Sequence, residues 1–252
     1  MRILVTSSKG GIGKSTLSAT LAVALAKRGH RVLLCDCDVD GHSLDLFLGM
    51  EDSVLFDIGD VACGRAEPSD ALRHPYEMEN LFFCPAPGGI GQKIEGDALT
   101  DALRSLEAHS EAEYVICDTA GTVYAPTLAA SFADTALILS TQQPASVRAA
   151  EDTAVMIQEK GDAKALLVIN SFEPKSAQKG RRAGILDIID GAGTRCIGVI
   201  PYDRSLMMAS EAGEIPERSY GMVAVSNIAA RLDGDEVRLF EGISDISKKN
   251  SL

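Results

Sequence analysis

The chain has 252 residues, 46% of them hydrophobic, and its 24 Lys and Arg against 36 Asp and Glu give a formal net charge of −12. This length and apolar content are enough for one sizeable core, and so acidic a balance disfavours non-specific binding to DNA as a property of the whole surface. Alternating strand and helix patterns without a linker predict one α/β domain over residues 1–234, followed by a tail over residues 235–252 that is helical or disordered.

Compartment signals in the sequence are few. No apolar run reaches the roughly 18 residues that a membrane-spanning helix needs, and the N-terminus has no secretory pattern. Six cysteines are scattered along the chain, at positions 35, 37, 63, 84, 117 and 196. Four of them fall in or beside predicted buried strands, where a free thiol acts as a small hydrophobe, so we expect a reduced, cytoplasmic protein.

The predicted elements alternate along the chain. Short apolar runs predict strands over residues 2–6, 31–35, 80–84, 113–117, 135–140, 164–169 and 195–200. Helical patterns lie between them, over residues 15–28, 97–108, 146–159 and 217–232. Near-continuous apolar strands separated by helices predict a three-layer sandwich, with a mostly parallel central sheet of about seven strands and helices on both faces. Ligands of such sheets bind beyond the carboxyl ends of the strands.

A glycine-rich loop follows the first predicted strand. It opens a helix that carries Leu17, Leu21, Ala24 and Leu25 on one face, which is the setting of a phosphate-binding P-loop. Backbone N–H groups and the positive end of the helix dipole then surround phosphate oxygens. The predicted nucleotide-binding residues of the loop are Lys9, Gly10, Gly11, Ile12, Gly13, Lys14, Ser15 and Thr16, with the Lys14 amine on the β- and γ-phosphates and the Ser15 hydroxyl on Mg²⁺.

Lys9 is a second lysine in this loop, five positions before Lys14. With it the loop resembles that of the deviant-Walker ATPases of the MinD/ParA group. The resemblance implies that Lys9 reaches across a dimer interface to the partner's nucleotide. The alternative is a solvated loop charge. Ser8 stands where the motif usually has its first glycine, so this corner has to form without a glycine's freedom at φ.

Asp36 and Asp38 follow the second predicted strand. On an extended chain two residues at this spacing point to the same side, so both carboxylates are expected to face the phosphates. The resemblance implies that Asp36 lies near the magnesium ion and that Asp38 positions the attacking water. The alternative is a solvated acidic turn.

Asp118 ends the fourth predicted strand and Gly121 follows three residues later. A carboxylate at this place fits a Walker B residue that holds Mg²⁺, and the Gly121 N–H fits a γ-phosphate contact. The predicted metal site therefore consists of Ser15, Asp36 and Asp118.

The base end of the pocket is predicted from two later strands. Asn170 follows the sixth strand, and in relatives of the ParA type an asparagine there pairs with adenine, which implies ATP; the alternative is an asparagine that caps its own turn. Pro201 ends the seventh strand and resembles the segment that borders the adenine. The resemblance covers residues 1–232 and is closer to MinD-like proteins than to plasmid-partition ParA proteins.

The resemblance implies a Mg²⁺-ATP-dependent homodimer, with slow hydrolysis that a protein partner stimulates and that regulates the position of a cell-division, flagellar, pilus or partition assembly. Peripheral association with the inner face of a membrane is a weaker implication. The tail has Leu239, Phe240, Ile243 and Ile246 at near-helical spacing among acidic residues, which favours a docking helix or a frayed end. The alternatives are an iron–sulfur carrier or reductase-type ATPase, or a metabolic ligase or kinase. No cysteine lies between residues 118 and 195, so no iron–sulfur cluster is expected.

Overall fold

The computed structural model describes residues 1–38, 44–50, 55–88, 94–120 and 124–243. In this part of the chain seven strands form one sheet, in the order β3-β2-β4-β1-β5-β6-β7, and every pairing between neighbours is parallel. The strands are Arg2–Thr6 (β1), Val32–Asp36 (β2), Leu81–Cys84 (β3), Tyr114–Asp118 (β4), Thr135–Ser140 (β5), Lys164–Phe172 (β6) and Cys196–Pro201 (β7). The predicted fold class is confirmed.

Helices cover both faces of this sheet. The longer ones are Lys14–Lys27 (α1), Gly96–Ser110 (α5), Pro144–Lys160 (α7) and Tyr220–Leu232 (α11). The shorter ones are Leu44–Phe47 (α2), Ile58–Ala62 (α3), Pro68–Ala71 (α4), Ala125–Ser131 (α6), Pro174–Gln178 (α8), Ile185–Ala192 (α9) and Arg204–Ala212 (α10). Within the described ranges, none of these helices is both long enough and apolar enough to cross a bilayer.

The core is divided between the two faces of the sheet. Ile3 and Val5 of β1 pack on one side with α1 and α11, whereas Leu4 packs on the other side with α5, α6 and α7. This alternation follows from the two-residue period of a strand, and because both sides are covered the strands read as continuous apolar runs. The cysteines at positions 35, 37, 84 and 117 are buried in the second of these clusters, as the sequence predicts.

Helix α1 is buried on more than the one predicted face. Every residue from Leu17 to Ala26 is buried, and α1 packs against α2, α10 and α11 as well as the sheet. Its outer side is therefore a second interface instead of a solvent face. This burial fixes the direction of the loop that enters the helix.

The chain continues to pack against the core beyond α11. Residues 239–242 form turns and residues 235–238 have no regular secondary structure, in place of the near-helical segment suggested by the spacing of the apolar residues. Ile243 is buried, and Leu239 and Phe240 are partly buried against the core. The Arg231 guanidinium holds the segment through hydrogen bonds to the carbonyl oxygens of Val237 and Arg238. The domain boundary at residue 234 stays a prediction, and residues 244–252, with Ile246, lie outside the described residues.

Candidate nucleotide-binding site

A cavity of about 860 Å³ lies at the carboxyl ends of the strands, as expected for a sheet of this kind. Its lining includes the whole loop from Lys9 to Thr16, together with Asp38, Asn170 and Pro201. Lys9 and Pro201, which are 192 positions apart in the sequence, thus line the same cavity. Gly121 lies outside the described residues, so its predicted contact with a γ-phosphate stays a prediction.

The loop takes its shape from two glycines. Gly11 and Gly13 have φ of 69° and 93°, in the left-handed region that glycine adopts without strain. Ser8 has no positive φ, so the missing first glycine imposes no strain at that corner. The Ser8 hydroxyl instead donates to the Ala149 carbonyl oxygen at 3.2 Å, which ties the start of the loop to α7. The next helix begins at Lys14 with its first N–H groups directed at the loop.

Lys9 lies at the rim of the cavity. Its Nζ donates a hydrogen bond to the Oε1 of Gln143, the residue that precedes α7 in the same chain. Both side chains line the cavity and are accessible there. A long side chain held by one neutral acceptor at a rim is free to exchange it for an anionic ligand.

Two carboxylates are buried side by side beneath the loop. Asp36 and Asp118 are partners in register at the ends of β2 and β4, and their exposed fractions are 2% and 1%. The Asp118 Oδ1 accepts a hydrogen bond from the Ser18 hydroxyl of α1 at 2.9 Å. Burial raises the pKa of Asp118 to about 6, although the hydroxyls of Ser15 and Ser18 and the Lys14 charge oppose this. Burial and the neighbouring Asp118 also raise the pKa of Asp36 well above its usual range.

The second oxygen of Asp118 indicates what this cluster fits. Oδ2 is buried and has no hydrogen-bond partner, a costly state for a carboxylate oxygen. Oxygen ligands of this type, beside the Ser15 hydroxyl at the start of α1, form the hard donor set that Mg²⁺ prefers. The residues predicted as metal ligands therefore fit the ion.

Asp38 and Asp36 are placed differently in the structure, and the expectation that both carboxylates face the phosphates stays a prediction. Asp38 lines the cavity, whereas the Asp36 Oδ1 accepts the Asp38 backbone N–H at 2.9 Å. The strand ends at Asp36, so the regular alternation on which the expectation rested ends there too. Asp36 thus holds the backbone that presents Asp38.

The base end of the cavity is formed by β6 and β7. Strand β6 extends three residues beyond its predicted end, and Ser171 within it has a φ of 53°. The pairing with β7 shifts in register between Ile169 and Phe172. Asn170 lines the cavity, and its Nδ2 donates to the Ile12 carbonyl oxygen at 2.7 Å, not to its own turn.

Several contributors were not found from the sequence. Gln142 is buried and binds the Glu173 N–H at 2.7 Å, and an ion pair of 3.0 Å joins Glu173 to Arg182 at the rim. Ser18 holds Asp118, as described above. Ser18 gives a weak signal, as a polar residue one turn after Lys14 in an apolar helix, whereas the roles of Gln142 and Gln143 depend on folding alone.

A parallel sheet with a glycine loop, a lysine and buried carboxylates at the carboxyl ends of its strands defines a P-loop nucleotide-binding protein. Residues 3–216 match the family model described as the CobQ/CobB/MinD/ParA nucleotide binding domain, and the chain belongs to this family.

Known proteins resemble the chain over nearly its whole length. The septum site-determining protein MinD of Neisseria meningitidis serogroup B is 35% identical, over 95% of this chain and 94% of that protein. MinD of Thermotoga maritima is 31% identical, over 98% of this chain and 93% of that protein. Among solved structures, the MinC:MinD cell division protein complex of Aquifex aeolicus matches with a TM-score of 0.86 and 29% identity, over 94% of this chain and 97% of that one. The predicted resemblance to the MinD/ParA group is confirmed.

Proposed function

We propose that the protein is a Mg²⁺-dependent ATPase that dimerises on ATP and regulates the position of a large cellular assembly. The single observation that carries the catalytic part is the buried Asp36–Asp118 pair with its unpartnered oxygen, directly beside the P-loop. Two carboxylates in a protein of net charge −12 are stabilised there when a divalent cation offsets their charge.

Most of the predicted site residues have a proposed part in the reaction. The backbone N–H groups from Gly10 to Ser15 bind the phosphate oxygens, and the Lys14 amine neutralises charge on the β- and γ-phosphates. Ser15, Asp36 and Asp118 would hold the magnesium ion, which would supply further neutralisation of the phosphate charge. Asp38 orients a water molecule in line with the γ-phosphate. Asn170 and Pro201 border the adenine.

Dimerisation would complete the site. Lys9, held by Gln143 within its own subunit, would exchange this neutral acceptor for the triphosphate of a second copy, where its charge opposes the developing negative charge. A cation supplied in trans in this way is worth roughly 10³–10⁵ in rate in GTPases. Because the lysine arrives only in the dimer, hydrolysis is slow in the monomer, and a protein partner that favours the correct dimer accelerates it.

The cellular role rests on the relatives. Those reported above are septum site-determining proteins, and the Aquifex aeolicus structure contains MinD with MinC. A role in positioning a division apparatus or a comparable assembly, with a protein partner that recognises the ATP-bound form, is therefore the function we propose.

The catalytic part is tested by ATP turnover with Mg²⁺, comparing the unaltered protein with Lys14→Ala and with Lys27→Ala. Lys27 lies exposed at the other end of α1, so it matches the change in charge and helix without touching the cavity. We expect Lys14→Ala to lose nucleotide binding and with it ATP turnover, and Lys27→Ala to retain both. Equal turnover in all three proteins would contradict the proposal.

A further inference from the structure

Asn170 contacts the P-loop itself. Its Nδ2 donates to the carbonyl oxygen of Ile12 at 2.7 Å. Its amide also packs so closely on the Cα of Gly13 that a Cβ at residue 13 would overlap the Asn170 nitrogen. The two segments are 158 residues apart in the sequence. This contact is separate from any that Asn170 makes with a base.

The hydrogen bond fixes the orientation of one peptide group. In a planar trans peptide the carbonyl oxygen and the following N–H point in opposite directions. With its carbonyl held by Asn170, the Ile12–Gly13 peptide directs the Gly13 N–H away from Asn170. Since Gly13 has a φ of 93° and meets no Cβ restriction, nothing within the residue itself prevents this peptide from rotating. Asn170 therefore supplies a restraint on this peptide that Gly13 does not.

Asn170 is itself held on both sides. The register with β7 is kept at Ile169, broken over the next two residues, and resumed at Phe172, with Ser171 in a left-handed conformation. A non-glycine residue in this region costs about 1 kcal/mol or more, so the surrounding contacts must impose it. The Tyr202 N–H donates to the Phe172 carbonyl at 3.0 Å and Gln142 accepts the Glu173 N–H at 2.7 Å, which anchors the chain directly after the irregularity.

We propose that Asn170 is a positioning residue for the phosphates: it orients the Ile12–Gly13 peptide so that the Gly13 N–H points into the phosphate-binding loop. This inference rests on the proposed function and deepens it. A primary amide has two N–H donors and one carbonyl acceptor, so one donor is used on Ile12 while the other two groups serve the base end. The same side chain thereby links binding of the nucleotide base to the orientation of the peptide that binds the phosphates.

A ligand without a base distinguishes positioning from base contact. The experiment measures displacement of a fluorescent ATP derivative by ATP and by inorganic tripolyphosphate, both with Mg²⁺, from the unaltered protein and from Asn170→Ala. The matched control is Asn227→Ala on α11. This change removes an equivalent hydrogen bond of 2.7 Å, from the Asn227 amide to the Glu241 carbonyl oxygen. If Asn170→Ala is not folded by circular dichroism, Asn170→Ser, whose hydroxyl falls short of the carbonyl, takes its place.

We expect the Asn170 variant to bind tripolyphosphate about fivefold more weakly or worse, the effect of one hydrogen bond of about 1 kcal/mol, with no change in the control. An Asn170 variant that loses affinity for ATP and keeps that for tripolyphosphate would overturn the inference and leave the proposed function intact. If the unaltered protein binds ATP but not tripolyphosphate, the loop is not the preformed phosphate site that the inference requires, and the inference fails. If the unaltered protein binds neither ligand, the proposed function fails with it.

Discussion

Asp118 is a carboxylate buried beside a second carboxylate, in a position where the fold gains nothing from the charge. One of its oxygens is bonded to Ser18 and the other has no partner. Such groups are retained where a ligand uses them, and they lower the stability of the ligand-free protein. At the scale of single residues, binding and stability therefore oppose each other here.

Asp118→Asn should make this opposition measurable. The change removes a carboxyl group whose ionised form is disfavoured by burial, so we expect the free energy of unfolding without nucleotide to rise by about 1 kcal/mol, measured by urea denaturation. The same variant should lose the dependence of nucleotide binding on Mg²⁺. Asp101→Asn, on an exposed side chain, is the control and should change neither quantity. A destabilised Asp118→Asn variant that still binds nucleotide in a Mg²⁺-dependent manner would contradict the assignment.

The site residues that were predicted from the sequence belong to motifs within one short segment of the chain. The loop from Lys9 to Thr16 and the aspartates at the strand ends each lie within one short segment. The loop and Asp38 line one cavity, whereas Asp36 and Asp118 are buried and are not part of its lining. The shared orientation of Asp36 and Asp38 towards the phosphates stays a prediction; β2 ends at Asp36, and the Asp36 carboxylate binds the Asp38 backbone N–H. The contact from Asn170 to Ile12 and the contact from Lys9 to Gln143 join residues more than 130 positions apart, and no pattern within one segment reports them.

At the scale of elements, a charged cluster joins the ends of α1, α11 and β4. Asp233, which follows α11, accepts hydrogen bonds from Arg28, His30 and Tyr114. Burial tends to raise the pKa of Asp233, but the bonds from Tyr114, His30 and Arg28 outweigh it and lower that pKa to about 2. Hydrogen bonds to Glu113 and then to Asp233 raise the pKa of His30.

These shifts predict a pH window for stability. His30 is more basic in the folded protein, so its contribution is complete below its unfolded pKa of about 6.5 and is lost as the pH rises through the folded value. Asp233 is more acidic when folded, so its contribution is present above about pH 4 and is lost as the pH falls towards 2. The cluster is therefore strongest between about pH 4 and pH 6.5.

Asp233→Asn should lower the free energy of unfolding by about 2 kcal/mol at pH 5.5, because charge-assisted hydrogen bonds of roughly this value are lost. At pH 9, where a smaller fraction of His30 is protonated, the loss should be smaller. Denaturation at the two pH values measures the difference. Asp235→Asn, at a more exposed partner of Arg28, is the control and should cost less at both. A loss that grows from pH 5.5 to pH 9 would refute the role of His30.

The segment after α11 adds a second prediction. Ile243 is 1% exposed, so Ile243→Ala should cost about 2–4 kcal/mol of unfolding free energy, as for other buried isoleucines. Leu186→Ala, at a side chain that is 55% exposed on α9, is the matched control and should cost far less. Equal effects in the two variants would mean that residues 235–243 do not pack on the core in solution. The peripheral membrane association implied by the resemblance stays a prediction.

The sequence predicted all of the described strands but only the longer helices. All seven predicted strands are present, because strands covered on both faces give unbroken apolar runs. The helices of four to nine residues, such as α2, α8 and α10, complete too few turns for a period to be seen, and no bounds were predicted for them. The extension of β6 was missed because its last residues pair irregularly.

At the scale of the whole molecule, one subunit contains the loop, the carboxylates and the base end, but its Lys9 is bound to its own Gln143. The proposed switch requires two subunits to face each other across their nucleotides. Each γ-phosphate would be bound by Lys14 of one subunit and by Lys9 of the other. Hydrolysis would then dissolve the dimer by removing these γ-phosphates. A variant that binds ATP without hydrolysing it should therefore accumulate as a dimer.

The most direct test measures the molar mass by light scattering coupled to size-exclusion chromatography, with saturating Mg²⁺-ATP. It compares three proteins: Asp38→Ala alone, Asp38→Ala combined with Lys9→Ala, and Asp38→Ala combined with Lys27→Ala. The account predicts a mass of two 26.6 kDa chains for Asp38→Ala, the same for its combination with Lys27→Ala, and a monomer for its combination with Lys9→Ala. An Asp38→Ala protein that binds ATP and remains a monomer, or a dimer that persists without Lys9, would contradict it.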